Sequence, residues 1–336
     1  MVKVAVATAS AGALVMFVVM KRKRELLKKS KIRVKDIIVY PLKSAKGLSL
    51  KDGILDGESG LKYDRLWMAV DNRGAFLSQR RAPKLALIEP EVIDGSGLRL
   101  KASGVETIDV PFLCKEMRNV RCWNDTVVAA DQGDDIAAWL ETFLGVDGCR
   151  LVKMVSTSTR YVDPKYAPRG TRTAFSDGFP LLIASVKSLE DLNNRIGKDG
   201  VPMNRFRANV VVDGELAPWA EDTWSKIQIG SQKFLVAKPC ARCKMPTIDQ
   251  DTGVPGGEKT NGETKEDDLG GGPNEGIEPT ATLKTFRTGK HLGFLPKYYD
   301  EVFFGQNLCH LPSFFSFNNK SFFRVGDGLI VLKYKY

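Results

Sequence analysis

Apolar positions along the chain follow two rhythms. From residue 32, IRVKDIIV reads as a strand and breaks into the Pro, Gly and Ser of YPLKSAKG, a loop. RLWMAVDNRGAFLSQR reads as two strands around a turn at residues 72–74, and LALIEPEVIDGSGLRLKAS repeats the pattern. RANVVVDG is a further strand. SKIQIGSQKFLVAKP is a hairpin turning at Gly230 and Ser231, and FRVGDGLIVLKY is a hairpin-like pair near the end of the chain. The helical rhythm occurs twice. DDIAAWLETFLG repeats Ile136, Leu140, Phe143 and Leu144 at helical spacing and stops at Gly145. SVKSLEDLNNRI does the same with Leu189, Leu192 and Ile196, with Ser188 as the expected N-cap. Many short strands and few helices predict a β-rich α+β protein with barrel-like packing.

Two stretches depart from this pattern. Residues 4–20 hold only Thr8 and Ser10 as polar residues, and as a helix would span about 26 Å, enough for a thin membrane. KRKRELLKK follows at once. A secretory signal peptide places its charge ahead of the apolar run. Basic flanks stay on the cytosolic side, so the expectation is one N-terminal transmembrane helix with the body in the cytosol. Residues 253–276 contain eight glycines and six acids, and are expected to form a mobile acidic loop.

The 336 residues are 43% hydrophobic, enough for a core and one or two domains. The formal charge of +10 first suggests nucleic acid. Residues 21–35, however, carry nine Lys/Arg and one acid, and the chain beyond them is close to neutral. With no basic patch interleaved with aromatics elsewhere, the charge is a local flank and nucleic-acid binding is not expected. The six cysteines are scattered apart from one pair, which fits a reducing compartment better than a disulfide framework.

That pair lies in KPCARCKM, where Cys240 and Cys243 stand at CxxC spacing. A structural zinc site needs four Cys/His ligands, and His291 and His310 have no close second ligand. A redox dithiol wants CxxC opening a helix, which Pro246 disfavours. A thiolate offered to another metal, or two half-buried thiols of no special role, remain open. With two histidines, both in the last 46 residues, histidine-based hydrolysis has little support, and neither a P-loop nor GxGxxG is present. Basic and polar residues do gather at loop ends: Lys43 and Ser44, Arg65, Arg80, then Ser176, Asp177 and Gly178, Arg205, Arg207 and Asn209, and Arg242 between the cysteines. Together they could cradle an anion. Each alone reads as a surface ion pair.

VYPLKSAKG, YDRLWMAVD, FSDGFPLLI, NRFRANVVVDG, DTWSKIQIG and PCARCKMPTIDQDTG, in that order, resemble the molybdenum cofactor sulfurase C-terminal (MOSC) family, in its mitochondrial amidoxime-reducing branch. The resemblance runs from about residue 32 to 287, resumes at FRVGDGLIVL and includes the N-terminal anchor. It implies a MOSC-N-like β-barrel domain, residues 32–154, and a MOSC β-barrel domain, residues 155–336, after an anchor at 1–20 and a basic linker at 21–31. It implies Mo-molybdopterin as cofactor, with Cys243 as the metal ligand and Cys240 a neighbour. Lys43, Ser44, Arg65, Arg207 and Asn209 would hold the pterin and its phosphate, and Ala241 and Arg242 would surround the ligand. Asp177 would face the metal, with Ser176, Gly178 and Phe179 lining the site. Gly178 and Phe179 stand where vertebrate members tend to carry small hydroxyl residues.

The implied reaction is reduction of N-hydroxylated compounds, amidoximes to amidines and hydroxylamines to amines. Electrons would come from NADH through cytochrome b5 reductase and cytochrome b5, on the mitochondrial outer membrane. Sulfur transfer or cofactor handling is the first alternative, which the lack of a pyridoxal-phosphate-dependent desulfurase domain weakens. A non-enzymatic, membrane-tethered binding module is the second. Two stretches differ from the family pattern: the long 253–276 loop, and the Phe-rich LCHLPSFFSFNNKSF at residues 308–322, poorly patterned for a strand.

Overall fold

The computed structural model describes residues 21–22, 25–56, 59–93, 95–112, 116–197, 200–256, 277–311 and 321–335. The expected membrane anchor and nearly all of the acidic loop lie outside them. Among the described residues no helix is long and apolar enough to cross a membrane.

The first half contributes β1 (Ile32–Val39), β2 (Leu48–Leu50), β3 (Asp52–Ile54), β4 (Trp67–Val70), β5 (Glu89–Ile93), β6 (Gly97–Lys101), β7 (Ile108–Pro111), β8 (Met117–Cys122), β9 (Asp125–Asp131), helix α1 (Asp134–Leu144) and β10 (Arg150–Met154). The second contributes β11 (Arg160–Tyr161), β12 (Arg172–Thr173), β13 (Leu181–Ser185), α2 (Val186–Ile196), β14 (Val210–Gly214), β15 (Trp224–Ile229), β16 (Gln232–Arg242), α3 (Thr280–Phe286), β17 (Val302–Leu311), β18 (Phe322–Arg324) and β19 (Leu329–Tyr334).

The largest sheet runs β19-β15-β16-β17-β13-β14-β1-β2. It bends back on itself: the Val34 N–H donates to the Asp327 carbonyl at 3.0 Å, and the Gly326 N–H donates to the Val34 carbonyl at 2.8 Å, just ahead of β19. β1 is thus paired on both sides, and the barrel-like interior fills with Val34, Ile37, Ile183, Val210, Ile227, Phe234 and Leu308. The one parallel pair of this sheet, β13 with β14, is joined through α2, as parallel neighbours require. A four-stranded sheet, β4-β10-β9-β8, and the meander β5-β6-β7 make the second body. There α1 lays Ile136, Leu140, Phe143 and Leu144 against Trp67, Leu98 and Leu151. Gly145 ends the helix in a left-handed conformation, φ 69°.

Three local expectations change. The cap of α2 is Ser185, whose Oγ accepts the Ser188 N–H at 3.0 Å; Ser188 already lies inside the first turn. The two halves of FRVGDGLIVLKY do not pair with each other: β18 joins β3 and β19 joins β15. Residues 308–311 are strand, the end of β17, held by β16; residues 312–320 lie outside the described set.

Candidate functional site

KPCARCKM closes β16. Pro239 has no N–H to give the ladder, and pairing with β17 slips on both sides of it, between Val236 and Lys238 and between Pro239 and Ala241. Opposite the second slip is Gly305 at φ 75°, where a Cβ would lie 2.8 Å from the Ile183 carbonyl oxygen. Cys240 ends up half-buried and Cys243 exposed, one residue beyond the strand. Neither opens an α-helix; a single 3-10 turn, Met245–Thr247, follows.

Both cysteines line an open cavity of about 830 Å³, its mouth included. The twelve residues singled out from the sequence as site residues all line it. So does Arg80. Arg205 does not; it turns away to pair with Asp249 at 2.8 Å.

The deep end is built on Tyr40. The guanidinium carbons of Arg65 and Arg207 lie 4.3 and 4.2 Å from its ring centroid. Arg65 pairs with buried Asp64 and reaches the Arg207 carbonyl at 3.3 Å. Arg207 is 7% exposed, touches Gln250 at 3.5 Å, and leaves Nη2 with no partner. Burial pulls its pKa down to about 10; Arg65 pushes the same way, and Tyr40 and Asp64 resist only in part. Ser44, Arg65 and Arg207 all hold left-handed backbone conformations, at φ 70°, 48° and 55°. Such strain concentrates where side chains must be aimed. Asn209 is committed elsewhere: its Nδ2 donates to the Ile38 carbonyl and to Asp64, and its Oδ1 accepts the Leu182 N–H. It holds the wall and fixes Asp64 behind Arg65.

On the side that the family resemblance assigns to a metal, Lys43 donates to the Phe175 carbonyl at 2.8 Å and to Asp177 Oδ1 at 2.6 Å. Trp123 Nε1 donates to the same oxygen at 3.1 Å. The Asp177 side chain is 64% exposed, so burial opposes its charge only weakly, and the Lys43 ammonium first, then the Trp123 N–H, hold the carboxyl below the usual range. Arg160 fixes the loop from below, donating to the Ala174 and Ser176 carbonyls at 2.7 and 2.6 Å. Arg242 donates to Cys240 Sγ at 3.0 Å and to the Phe206 carbonyl at 2.9 Å, and its Nε has no partner. Five cations therefore line the cavity against one carboxylate, with Asp64 behind Arg65. Among the described residues, no three His, Cys, Asp or Glu side chains converge as a metal site. The arrangement suits an anionic ligand with a thiol beside it.

Residues 31–147 match the MOSC N-terminal beta barrel domain and residues 170–294 the MOSC domain. The chain belongs to the MOSC family. Mitochondrial amidoxime-reducing component 1 of Mus musculus is 29% identical over 317 residues, covering 89% of this chain and 82% of that protein. Its Homo sapiens counterpart is 31% identical over 243 residues, covering 69% and 71%. Molybdenum cofactor sulfurase of Homo sapiens is 34% identical over 241 residues, covering 66% of this chain and 27% of that protein. The MOSC site also contains residues that the sequence reading passed over. Trp123 occupies the two-residue turn between β8 and β9 at φ 57°, packed on Phe76 at 5.0 Å and under Arg80 at 4.9 Å. An aromatic where turns favour Asn or Gly was the available signal.

Proposed function

We propose that this MOSC protein binds the molybdenum cofactor in the cavity and reduces N-hydroxylated compounds with it. The observation that carries the reading is the convergence of one exposed thiol, Cys243, with buried guanidinium donors that lack partners, on Arg207 and Arg242. The donor set fits the group. A phosphate and pterin would satisfy Arg207, Arg65 and Lys43, and a soft thiolate suits a molybdenum that brings its remaining sulfur ligands with it.

Bound there, the cofactor would supply a two-electron centre for reductive cleavage of an N–O bond. The chain's own groups do the rest. Lys43 and Trp123 fix Asp177 Oδ1, leaving Oδ2 to meet a substrate N–H. Arg242 donates to Cys240, and Cys243, the more exposed of the two thiols, would be the ligand. Turnover takes two electrons and two protons per N–O bond and releases water. The electrons would pass from NADH through cytochrome b5 reductase and cytochrome b5. The mitochondrial names of the relatives support a mitochondrial location, where the apolar residues 4–20 would serve as the anchor. Cofactor handling or sulfur transfer is the second reading, favoured by the 34% identity to the sulfurase.

The test is the full chain in neutral detergent, made in a host that synthesises molybdopterin, with metal counted by mass spectrometry and benzamidoxime reduction assayed with the reconstituted cytochrome b5 system. Wild type should carry close to one molybdenum per chain. Cys243→Ser should lose at least 100-fold in activity while remaining folded, as expected when a metal ligand goes, and Cys240→Ser should keep its metal. Bound molybdenum without reduction would favour cofactor handling. A folded wild type devoid of molybdenum would overturn both and favour a binding module.

A further inference from the structure

Three lysines beside the cavity stand on aromatic rings instead of carboxylates. Lys238, two residues before Cys240 in β16, has its ammonium 4.8 Å from the Tyr166 ring centroid and 5.5 Å from that of Phe179. Lys165 lies 5.3 Å from the Tyr166 ring, and Lys297 lies 4.8 Å from the Tyr298 ring. The rings connect. Tyr166 meets Phe179 edge-on at 6.4 Å, and the Tyr298 hydroxyl is hydrogen-bonded by Tyr166 and Lys297.

None of the three lysines has an ion-pair partner among the described residues. Asp163, close by in sequence, spends its Oδ1 on the Lys165 backbone N–H at 2.9 Å. Three neighbouring cations held on rings instead of in ion pairs repel one another, cation–π contacts offset that only in part, and the exposed Asp163, Asp300 and Glu301 of the same segments make no ion pair with them. Their charge stays available to a partner. The same two segments expose Tyr161, Leu295 and Tyr299, giving the mixture of aromatic surface and accessible charge found at protein interfaces. The patch adjoins the site: Phe179 and Asn307 both line the cavity, and Asn307 Nδ2 donates to the Lys238 carbonyl at 3.3 Å.

Resting on the reductase reading above, we propose that this lysine–tyrosine face docks an acidic electron-carrier protein, whose carboxylates engage Lys165, Lys238 and Lys297 and whose redox centre then lies against the wall holding Cys240 and Cys243. Each docked carrier gives up one electron, so two carriers are oxidised for each N–O bond cleaved, with two protons taken from solvent. An anionic bilayer would meet the same charges, but laid on this face it would cover the mouth beside Phe179.

The probe is the soluble domain of cytochrome b5, titrated against the full, molybdenum-loaded chain in neutral detergent. Wild type should bind it, with a Kd that rises steeply between about 20 and 200 mM salt. The triple variant Lys165→Glu, Lys238→Glu, Lys297→Glu should raise Kd at low salt about tenfold or more and flatten the salt dependence. The milder Lys→Gln triple should shift it less, in the same direction, with circular dichroism unchanged in both. Benzamidoxime reduction driven by reduced methyl viologen, which needs no protein carrier, should stay within about twofold of wild type. That activity alone tests the reductase reading, and the Kd alone tests the docking face. No binding by wild type, or a Kd and salt slope untouched by charge reversal, overturns the proposal. Loss of co-sedimentation with phosphatidylserine vesicles, with the cytochrome Kd unchanged, overturns it in favour of lipid.

Discussion

Asp177 presents its two oxygens unequally. Oδ1 accepts from both Lys43 and Trp123, which leaves Oδ2 as the oxygen open to a bound molecule. Trp123 is therefore a positioning residue, aiming a carboxylate across from the second half of the chain. Trp123→Phe keeps an aromatic over Phe76 and under Arg80 but removes the N–H. A hydrogen bond to a charged group is worth about 1.5–3 kcal/mol when buried, and less at this exposed mouth. The expected result is a fall of about tenfold in kcat/KM for benzamidoxime, with kcat/KM restored when Trp123→His keeps a ring N–H, and molybdenum content unchanged in both. An unchanged kcat/KM in Trp123→Phe would make Trp123 a wall and nothing more. The basic residues of this site were legible as a gathering at loop ends, but each alone reads as a surface ion pair, and Arg205 forms one, with Asp249. The sequence did not reveal Trp123, whose partner is 54 positions away. Nor did it reveal that Asn209 spends its amide on the scaffold: an amide looks the same in sequence whether it faces a ligand or a carbonyl.

Helix α2 shows where element-level reasoning holds and where it slips. The spacing of Leu189, Leu192 and Ile196 located the helix, but SVKS offers two serines three residues apart and only tertiary structure decides between them. Ser185 caps; Ser188, one turn in, donates to Glu221 Oε1 at 2.7 Å from below. Glu221 is fully buried, with Oε2 lacking a partner. Burial raises its pKa, while Ser188 and the backbone pull the other way. The folded state thus prefers the neutral acid. Its contribution is whole below the unfolded value near 4.5 and drains away as pH rises through the folded value. Glu221→Gln keeps the shape without the titration. Relative to wild type, its unfolding free energy should improve as pH rises from about 4.5 and level off once pH passes the raised folded value, by roughly 1 kcal/mol for each unit by which folding raises the pKa. Denaturant melts at several pH values measure this. Parallel curves for variant and wild type would show that Glu221 stays charged in the fold.

Across the whole molecule, the cavity exists because the chain does not respect the boundary its sequence motifs suggest. A break near residue 154 divides the sequence into two motif-bearing halves, and the β-rich class, both long helices and most of the hairpins were legible on either side of it, since each rests on local periodicity. Register between distant strands leaves no such local mark. β1 pairs with β14, on the other side of the break, from Ile32 with Gly214 to Ile37 with Val210. The loop after β1 then delivers Lys43 and Ser44 to a wall that β16 completes. The first strand is therefore a structural part of the second half. Val34, Ile37 and Val39 are each at least 98% buried, and removing three such side chains forfeits roughly 5–9 kcal/mol, comparable to the whole net stability of a typical domain. It would also bare the edge of β14. A fragment of residues 155–336 should accordingly fail to give a cooperative thermal transition and should aggregate. Adding residues 32–154 as a separate chain should restore a transition and pull both pieces into one gel-filtration peak. Cooperative unfolding of the second fragment alone would mean that β1 is dispensable, and that the anion cradle is assembled by docking of two finished domains instead of by one shared sheet.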